Sequence, residues 1–286
     1  MKDIVERRLE TYNLKTKEDE INALKEITQE ILLYSFYKIG MFEKVCFLGG
    51  TNLRIIHGLQ RFSEDLEFAT TKKDTTFDLH SFLNEALVHI NAYGYELSVD
   101  KKPPIAKTVQ GLFLKDNSIK KILTFKFLQD KRAKIKIKVE VDTNPPEGAD
   151  NTIEYVDFPF DFPVSSHDLP TLMAGKIHAL LCRPYCKGRD WFDFLWYMSR
   201  KVAVNMTFLE NALHQTGPWS KGKPKVDLTF VSTELKNKID SIDWKDIRAD
   251  VRRFLSADGA KSLESWGVPL FTSKLPILSH GLTDKH

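Results

Sequence analysis

The sequence predicts an α+β fold: a mixed sheet with flanking helices, followed by a helical domain. Three observations predict it. Short apolar or alternating runs of strand period, at Val45–Leu48, Glu64–Ala69 and Ala133–Val141, interleave with longer runs of helical period. From Asp168 onward only helical periodicity recurs. Between the two regions, Asn144-Pro145-Pro146-Glu147-Gly148 and the Pro- and Phe-rich Asp157–Pro163 break both patterns. The partition expected from this is a first domain over residues 1–165 and a helical domain over residues 166–286.

The elements follow in order. Residues 18–39 carry Ile21, Leu24, Ile27, Ile31 and Leu32 at helical spacing, so an amphipathic helix is expected there. The apolar strand Val45–Leu48 ends at Gly49-Gly50, and a helix is expected from Thr51 to Leu59. In the strand Glu64–Ala69, Leu66 and Phe68 share one face. Phe77–Tyr93 reads as a second amphipathic helix and Tyr95–Val99 as a strand. Lys121–Leu128 and Ala133–Val141 alternate apolar with polar residues, around a turn at Asp130-Lys131-Arg132. Helices are then expected at Leu169–Leu181, Asp190–Ser199, Thr207–His214, Val231–Ile239 and Trp244–Leu255. No internal repeat or low-complexity tract interrupts them.

Composition narrows the setting. With 286 residues, 42% hydrophobic and 28% charged, the chain can bury an ordinary core. No apolar run approaches the ~18 residues of a membrane span. The charged start Met1-Lys2-Asp3-Ile4-Val5-Glu6-Arg7-Arg8 has no apolar signal core behind it. A cytoplasmic protein with no membrane partner is expected. Three cysteines, Cys46, Cys182 and Cys186, have no framework spacing. His178, Cys182 and Cys186 fall four apart on a helix, but a metal there would lack a fourth ligand. Buried thiols and a helix histidine account for them.

Charge is uneven. The net charge is +3, yet Lys101–Lys138 holds 12 lysines and arginines against 2 aspartates. Two readings stay open: a patch that attracts a polyanion or nucleotide phosphates, and solvated lysines on exposed strand faces.

The chemistry concentrates between Gly49 and Phe68. Two glycines at a strand-to-helix junction let a phosphate approach the backbone without a Cβ in the way. The helix start offers N–H donors and Thr51 a hydroxyl. On the next strand, Asp65 and Glu67 are two apart, so both carboxylates share the face opposite Leu66 and Phe68. In Lys136–Asp142 the residues Lys136, Lys138, Glu140 and Asp142 also share a face. If that strand pairs beside the first, Glu140 or Asp142 joins Asp65 and Glu67. Three such acids can hold two Mg²⁺ ions, which prefer oxygen ligands and substrate phosphates. A solvent-facing acidic pair is the plainer alternative for Asp65 and Glu67 alone.

The run Gly49-Gly50-Thr51-Asn52-Leu53-Arg54, followed by Arg61-Phe62-Ser63-Glu64-Asp65-Leu66-Glu67-Phe68, resembles the first motif of the AbiEii/AbiGii-type toxins, nucleotidyltransferases of the DNA polymerase β superfamily. Glu67 stands where that family usually has aspartate. Lys138-Val139-Glu140 resembles the family strand that supplies a third carboxylate. Lys176-Ile177-His178-Ala179-Leu180 resembles its lysine helix, and Lys187-Gly188-Arg189-Asp190-Trp191-Phe192-Asp193 its Arg-Asp-x-x-Asp helix start. These blocks span roughly residues 45–195.

The resemblance implies a polymerase-β-like fold with a two-ion Mg²⁺ site. Asp65, Glu67 and Glu140 or Asp142 would be metal ligands. Lys176 and Asp190 would join the active site. By their own chemistry Gly49, Gly50, Thr51, Arg61, Ser63, Lys176 and Arg189 are the candidates to contact the nucleotide. The resemblance implies transfer of a nucleoside monophosphate from an NTP to an acceptor, with RNA, notably transfer RNA ends, the best-known class. It also implies a cognate antitoxin protein.

Several residues keep a second reading. Lys176 could be a snorkelling lysine and Asp190 a helix N-cap. Arg61 could pair with Glu64 or Asp65, Ser63 could cap the strand start, and Asp193 could hold Arg189 or Lys187. A small-molecule or protein acceptor, and a nucleotide- or RNA-binding module without catalysis, are the alternative functions.

Overall fold

The computed structural model describes residues 2–91, 96–100, 108–116 and 135–282. The chain folds as two compact units: one of Met1–Gly58, Phe62–Pro145 and Thr152–Ser166, the other of Leu59–Arg61, Pro146–Asn151 and His167–His286.

The first unit is an α+β layer structure. Among the described residues its sheet has seven strands: β1 (Val45–Leu48), β2 (Asp65–Thr70), β3 (Leu97–Asp100), β4 (Val109–Asp116), β5 (Ile135–Asp142), β6 (Asn151–Val156) and β7 (Phe162–His167). They lie in the order β3-β4-β5-β2-β1-β7-β6. The sheet is mixed, because β2 runs parallel to β5 but antiparallel to β1. Among the described residues four α-helices accompany it: α1 (Lys2–Glu10), α2 (Lys17–Lys38), α3 (Gly49–Ile55) and α4 (Leu79–Asn91).

Helix α2 opens with a reciprocal capping box between Thr16 and Asp19. Its Leu24, Ile27, Ile31 and Phe36 join Leu66, Phe68, Val139 and Val141 of β2 and β5 in one buried cluster. Phe36 meets Phe68 edge-on, with ring centroids 5.7 Å apart. One face of β2 and β5 is therefore committed to the core, and the alternation of strand side chains turns Asp65, Glu67, Lys138 and Glu140 to the other face.

The strand expected at Tyr95–Val99 is found as β3, and the helix expected from Thr51 to Leu59 begins at Gly49 and ends at Ile55. Three residues beyond its end Gly58 takes φ +69°, a left-handed position in the turn that follows. The strand expected at Lys121–Leu128 and the turn at Asp130-Lys131-Arg132 lie outside the described residues.

The second unit is helical: α5 (Leu169–Cys182), α6 (Gly188–Ser199), α7 (Met206–Gln215), α8 (Leu228–Ser241), α9 (Trp244–Arg252), and the short α10 (Ala257–Lys261) and α11 (Val268–Thr272). Side-chain N-caps start α5, α7, α8 and α9: Asp168, Asn205, Asp227 and Asp243. Its core is aromatic. Trp244 stacks on Phe271 at 4.2 Å, and Trp191 meets Phe271 edge-on at 5.2 Å. Gly188 lets α6 approach α9, since a Cβ there would lie 2.3 Å from the Ile247 carbonyl oxygen.

Candidate active site

The carboxylate face of the first unit is set by strand register. Parallel pairing of β2 and β5 puts Asp65 opposite Lys138, Glu67 opposite Glu140, and Ala69 opposite Asp142. Glu67 is also opposite Leu48, the last residue before the glycine pair. Asp65, Glu67 and Glu140 thus stand on one face of two hydrogen-bonded neighbours. Asp142 is a full strand period beyond Glu140, ~7 Å along β5. Its Oδ1 accepts the Asn144 N–H at 2.9 Å, and burial pushes its carboxyl up. Of the two residues considered for a third ligand, register places Glu140 beside the pair.

Two acids side by side repel, and each leans to a positive partner. Lys138 Nζ lies 2.6 Å from Glu140 Oε1. Glu67 Oε2 accepts the Gly50 N–H at 3.4 Å, a long bond that faces the positive end of α3. This explains the first glycine. Gly49 sits at φ +83°, and a Cβ there would fall 1.9 Å from Glu67 Oε2. Thr51 is fully buried, and its hydroxyl donates to the Asp65 carbonyl, tying the helix start to β2. Its side chain is therefore a strut between elements, and what it has left for a phosphate is its backbone N–H. Ser63 is buried too, with its carbonyl accepting from Gln29 Nε2 at 3.3 Å. Among the described residues no three acidic, histidine or cysteine side chains converge into a preformed cation cage. The donor set on the β2–β5 face is nonetheless all carboxylate, which suits a hard divalent ion.

The second unit gathers the remaining charged candidates into a buried ion cluster. Lys176 Nζ on α5 lies 2.7 Å from Asp190 Oδ1 and 2.8 Å from Asp193 Oδ2, both on α6. Arg61 grips Asp193 with two bonds of 2.6 Å, and Arg183 pairs with Asp190. Burial works against the Lys176 ammonium, but Asp190 and Asp193 raise it above the ordinary lysine value. Burial likewise opposes the Asp190 carboxylate, yet Lys176 and Arg183 hold it well below the usual range.

Several expectations are corrected here. Asp190 is not an N-cap: α6 starts at Gly188, two residues earlier, and the Asp190 side chain turns inward to Lys176. Lys176 is not a snorkelling lysine, because its ammonium is buried between two carboxylates. Asp193 holds Arg61 and Lys176, where sequence had suggested Arg189 or Lys187. Arg61 has Asp193 as a partner, one the sequence did not point to, and Lys25 lies 3.0 Å from Glu64. Arg189 lies over the Phe254 ring at 4.3 Å. The three cysteines are free thiols, with Cys46 buried, Cys182 half-buried and Cys186, expected to be buried, exposed. Cys182 is pushed up to about 11 by burial, and His178 Nε2 lies 3.1 Å from the Thr216 hydroxyl.

Residues 31–269 match the family described as nucleotidyl transferase AbiEii toxin, type IV TA system. The chain belongs to this family. It is therefore a nucleotidyltransferase toxin of the AbiEii kind, and the family match takes in both compact units. MenT4, a nucleotidyltransferase toxin from Mycobacterium tuberculosis H37Rv, shares the fold, with TM-score 0.53 and 16% identity over 97% of this chain and 99% of that one. JHP933 from Helicobacter pylori gives TM-score 0.48 and 18% identity over 90% of this chain and 96% of that one. No curated protein matches the chain. No described helix is long and apolar enough to cross a membrane. In this AbiEii chain the ion cluster around Lys176 is the feature sequence missed. Its one legible signal was the pair Asp190 and Asp193, spaced to share a helix face.

Proposed function

We propose that the AbiEii chain moves a nucleoside monophosphate from an NTP to a hydroxyl of RNA, with transfer RNA ends the favoured acceptor class. The observation that carries the reading is the register of β2 and β5, which sets Glu67 opposite Glu140 and Asp65 two residues along the same face. Asp65, Glu67 and Glu140 would hold Mg²⁺, as a two-ion site. Bound there, such ions would activate the attacking hydroxyl and neutralise charge on the leaving pyrophosphate.

The chain's own residues do the rest. Gly49 and Gly50 leave the backbone bare where the triphosphate would come closest to β1, and Glu67 must let go of the Gly50 N–H to turn toward the other acids. Lys138 Nζ, 2.6 Å from Glu140 Oε1, positions that carboxylate on the shared face. The acceptor oxygen attacks the α-phosphorus, the bond from that phosphorus to the bridging oxygen breaks, and pyrophosphate departs. The acceptor proton passes to a carboxylate of the set. Lys176 and Asp190 are assigned to the site by family likeness, and Arg61, Ser63 and Arg189 to the nucleotide by their chemistry. Since Lys176 is held by two carboxylates, it reaches a phosphate only by exchanging one of them. As a type IV family member, the toxin is expected to have a cognate antitoxin.

The test is transfer of labelled α-phosphate from each of the four triphosphates, with total RNA and with small hydroxyl compounds as acceptors, with and without Mg²⁺. Label in RNA, lost in Asp65→Ala while its melting curve is unchanged, is the expected result. Transfer that persists in Asp65→Ala would remove the carboxylate assignment. Label in small hydroxyl compounds alone would move the acceptor to that class.

A further inference from the structure

The helical unit carries a second concave feature, remote in chemistry from the carboxylates. It is a cavity of about 360 Å³ whose lining includes one cation, Arg200, and no anion. Three of its walls are aromatic: Phe192 and Trp196 on α6, and Trp266 before α11. Phe192 and Trp266 lie 6.2 Å apart and tilted by 38°. The Arg200 guanidinium lies 3.9 Å from the Trp196 ring centroid, a planar cation laid on a planar ring. Trp196 and Trp266 are buried as supports, while Phe192 is half-buried and Arg200 exposed.

The polar lining is selective. Ser199, Ser262 and Ser265 each donate a proton to a backbone carbonyl, of Trp196, Gly259 and Ser262 respectively. With their protons so engaged, the hydroxyl oxygens of Ser262 and Ser265 keep acceptor capacity, while Ser199 Oγ also accepts from Arg200 at 3.5 Å. Gln60 adds an exposed amide, a donor and an acceptor together. The aromatic walls favour a planar ring, and the single cation in the lining favours an anionic group over a cationic one. A planar ring with amino donors and a negative charge attached fits every wall. That description is a nucleotide whose base is not already stacked.

We propose that this cavity takes an unpaired nucleobase of single-stranded RNA. The base stacks on Phe192 and the Arg200 plane, its amino edge meets the serine oxygens and Gln60, and the arginine edge reaches the adjoining phosphate. The proposal rests on RNA as the acceptor, and it adds a second contact that grips the strand by a base.

The experiment uses the full chain in metal-free, nucleotide-free buffer, so binding is read apart from transfer. The probe is a 5′-labelled, mixed-sequence single-stranded oligoribonucleotide of about twelve residues, followed by anisotropy and tryptophan quenching. Phe192→Leu is expected to raise Kd about tenfold, the size of a lost stacking platform. Arg200→Ala is expected to raise it about fivefold and to flatten the slope of log affinity against log salt by about 0.7. The same sequence as a duplex should bind more weakly, since its bases are not available. Unchanged affinity in folded Phe192→Leu and Arg200→Ala, equal binding of the duplex, or displacement by an equal concentration of free NTP would each overturn the proposal. Pocket-dependent binding without any transfer to RNA would count against the acceptor assignment alone.

Discussion

At the residue scale, the buried ion cluster tests whether charge here stabilises or only permits function. Asp193 is fully buried and holds two cations, Arg61 by a two-bond fork and Lys176 at 2.8 Å. Removing it leaves both with less countercharge in a dry environment. Asp193→Ala should therefore cost about 3–5 kcal/mol in urea unfolding. A cost below about 1 kcal/mol would mean the cluster relaxes or hydrates freely. His167 gives a second test. Burial pushes it down to about 4, against a small opposing pull from Asp168. Its ordinary value is about 6.5. Between these values the unfolded chain binds a proton that the folded chain refuses, so stability falls as pH falls through that window. Its full contribution is present above about pH 6.5, and below about pH 4 this group adds no further loss. Unfolding free energy should drop by about 2 kcal/mol from pH 7 to pH 5 on this account. His167→Leu should remove that drop.

At the element scale, the parts that were legible are those whose pattern had one interpretation. β1, β2 and β5 alternate or run apolar between clear breaks, and their presence and face assignment followed from period alone. α1 escaped because Lys2–Glu10 has three apolar residues among six charged ones, and of these apolar residues Val5 alone is buried. β4 escaped because Gly111 and the run Leu112-Phe113-Leu114 break alternation in Val109–Asp116. The neighbour relation of β2 and β5 is a non-local fact that no local period encodes, which is why sequence left Glu140 and Asp142 tied. The start of α6 was misplaced for a different reason. Its cap residue, Lys187, makes no side-chain cap bond, and the nearest plausible capping side chain, Asp190, is used in the interior. What fixes that start is packing: the Gly188 N–H donates to Asp250 Oδ2 at 2.7 Å and its missing side chain admits α9. A methyl group at Gly188 would meet the Ile247 carbonyl, a backbone atom that cannot rotate away. Gly188→Ala should force α6 and α9 apart and cost about 1–3 kcal/mol, read as a lower denaturant midpoint with the slope unchanged. An unaltered midpoint would show that the helices have slack there.

At the scale of the whole molecule, the question is what a chain of net charge +3 does with a polyanion. Net charge of that size gives little long-range attraction, and steering depends on how the charge is distributed. The sequence is polarised, with 12 basic and 2 acidic residues over Lys101–Lys138 and an acidic balance elsewhere. If RNA is the acceptor, its phosphates should engage a local basic surface and release counterions as they do so. Each phosphate contact to a single strand contributes about 0.7 to the slope of log affinity against log salt. Four contacts would weaken RNA binding about fiftyfold between about 50 and 200 mM salt. The NTP should respond differently, because a single small ligand releases no comparable counterion atmosphere. The expected outcome is therefore a split: KM for RNA rising steeply with salt, KM for the triphosphate nearly level, and kcat little changed. A small-molecule acceptor would show neither the steep rise nor the split. Flat salt dependence of KM for RNA would mean that the acceptor is recognised through something other than its phosphates, and the basic stretch would then be no more than a solvated surface.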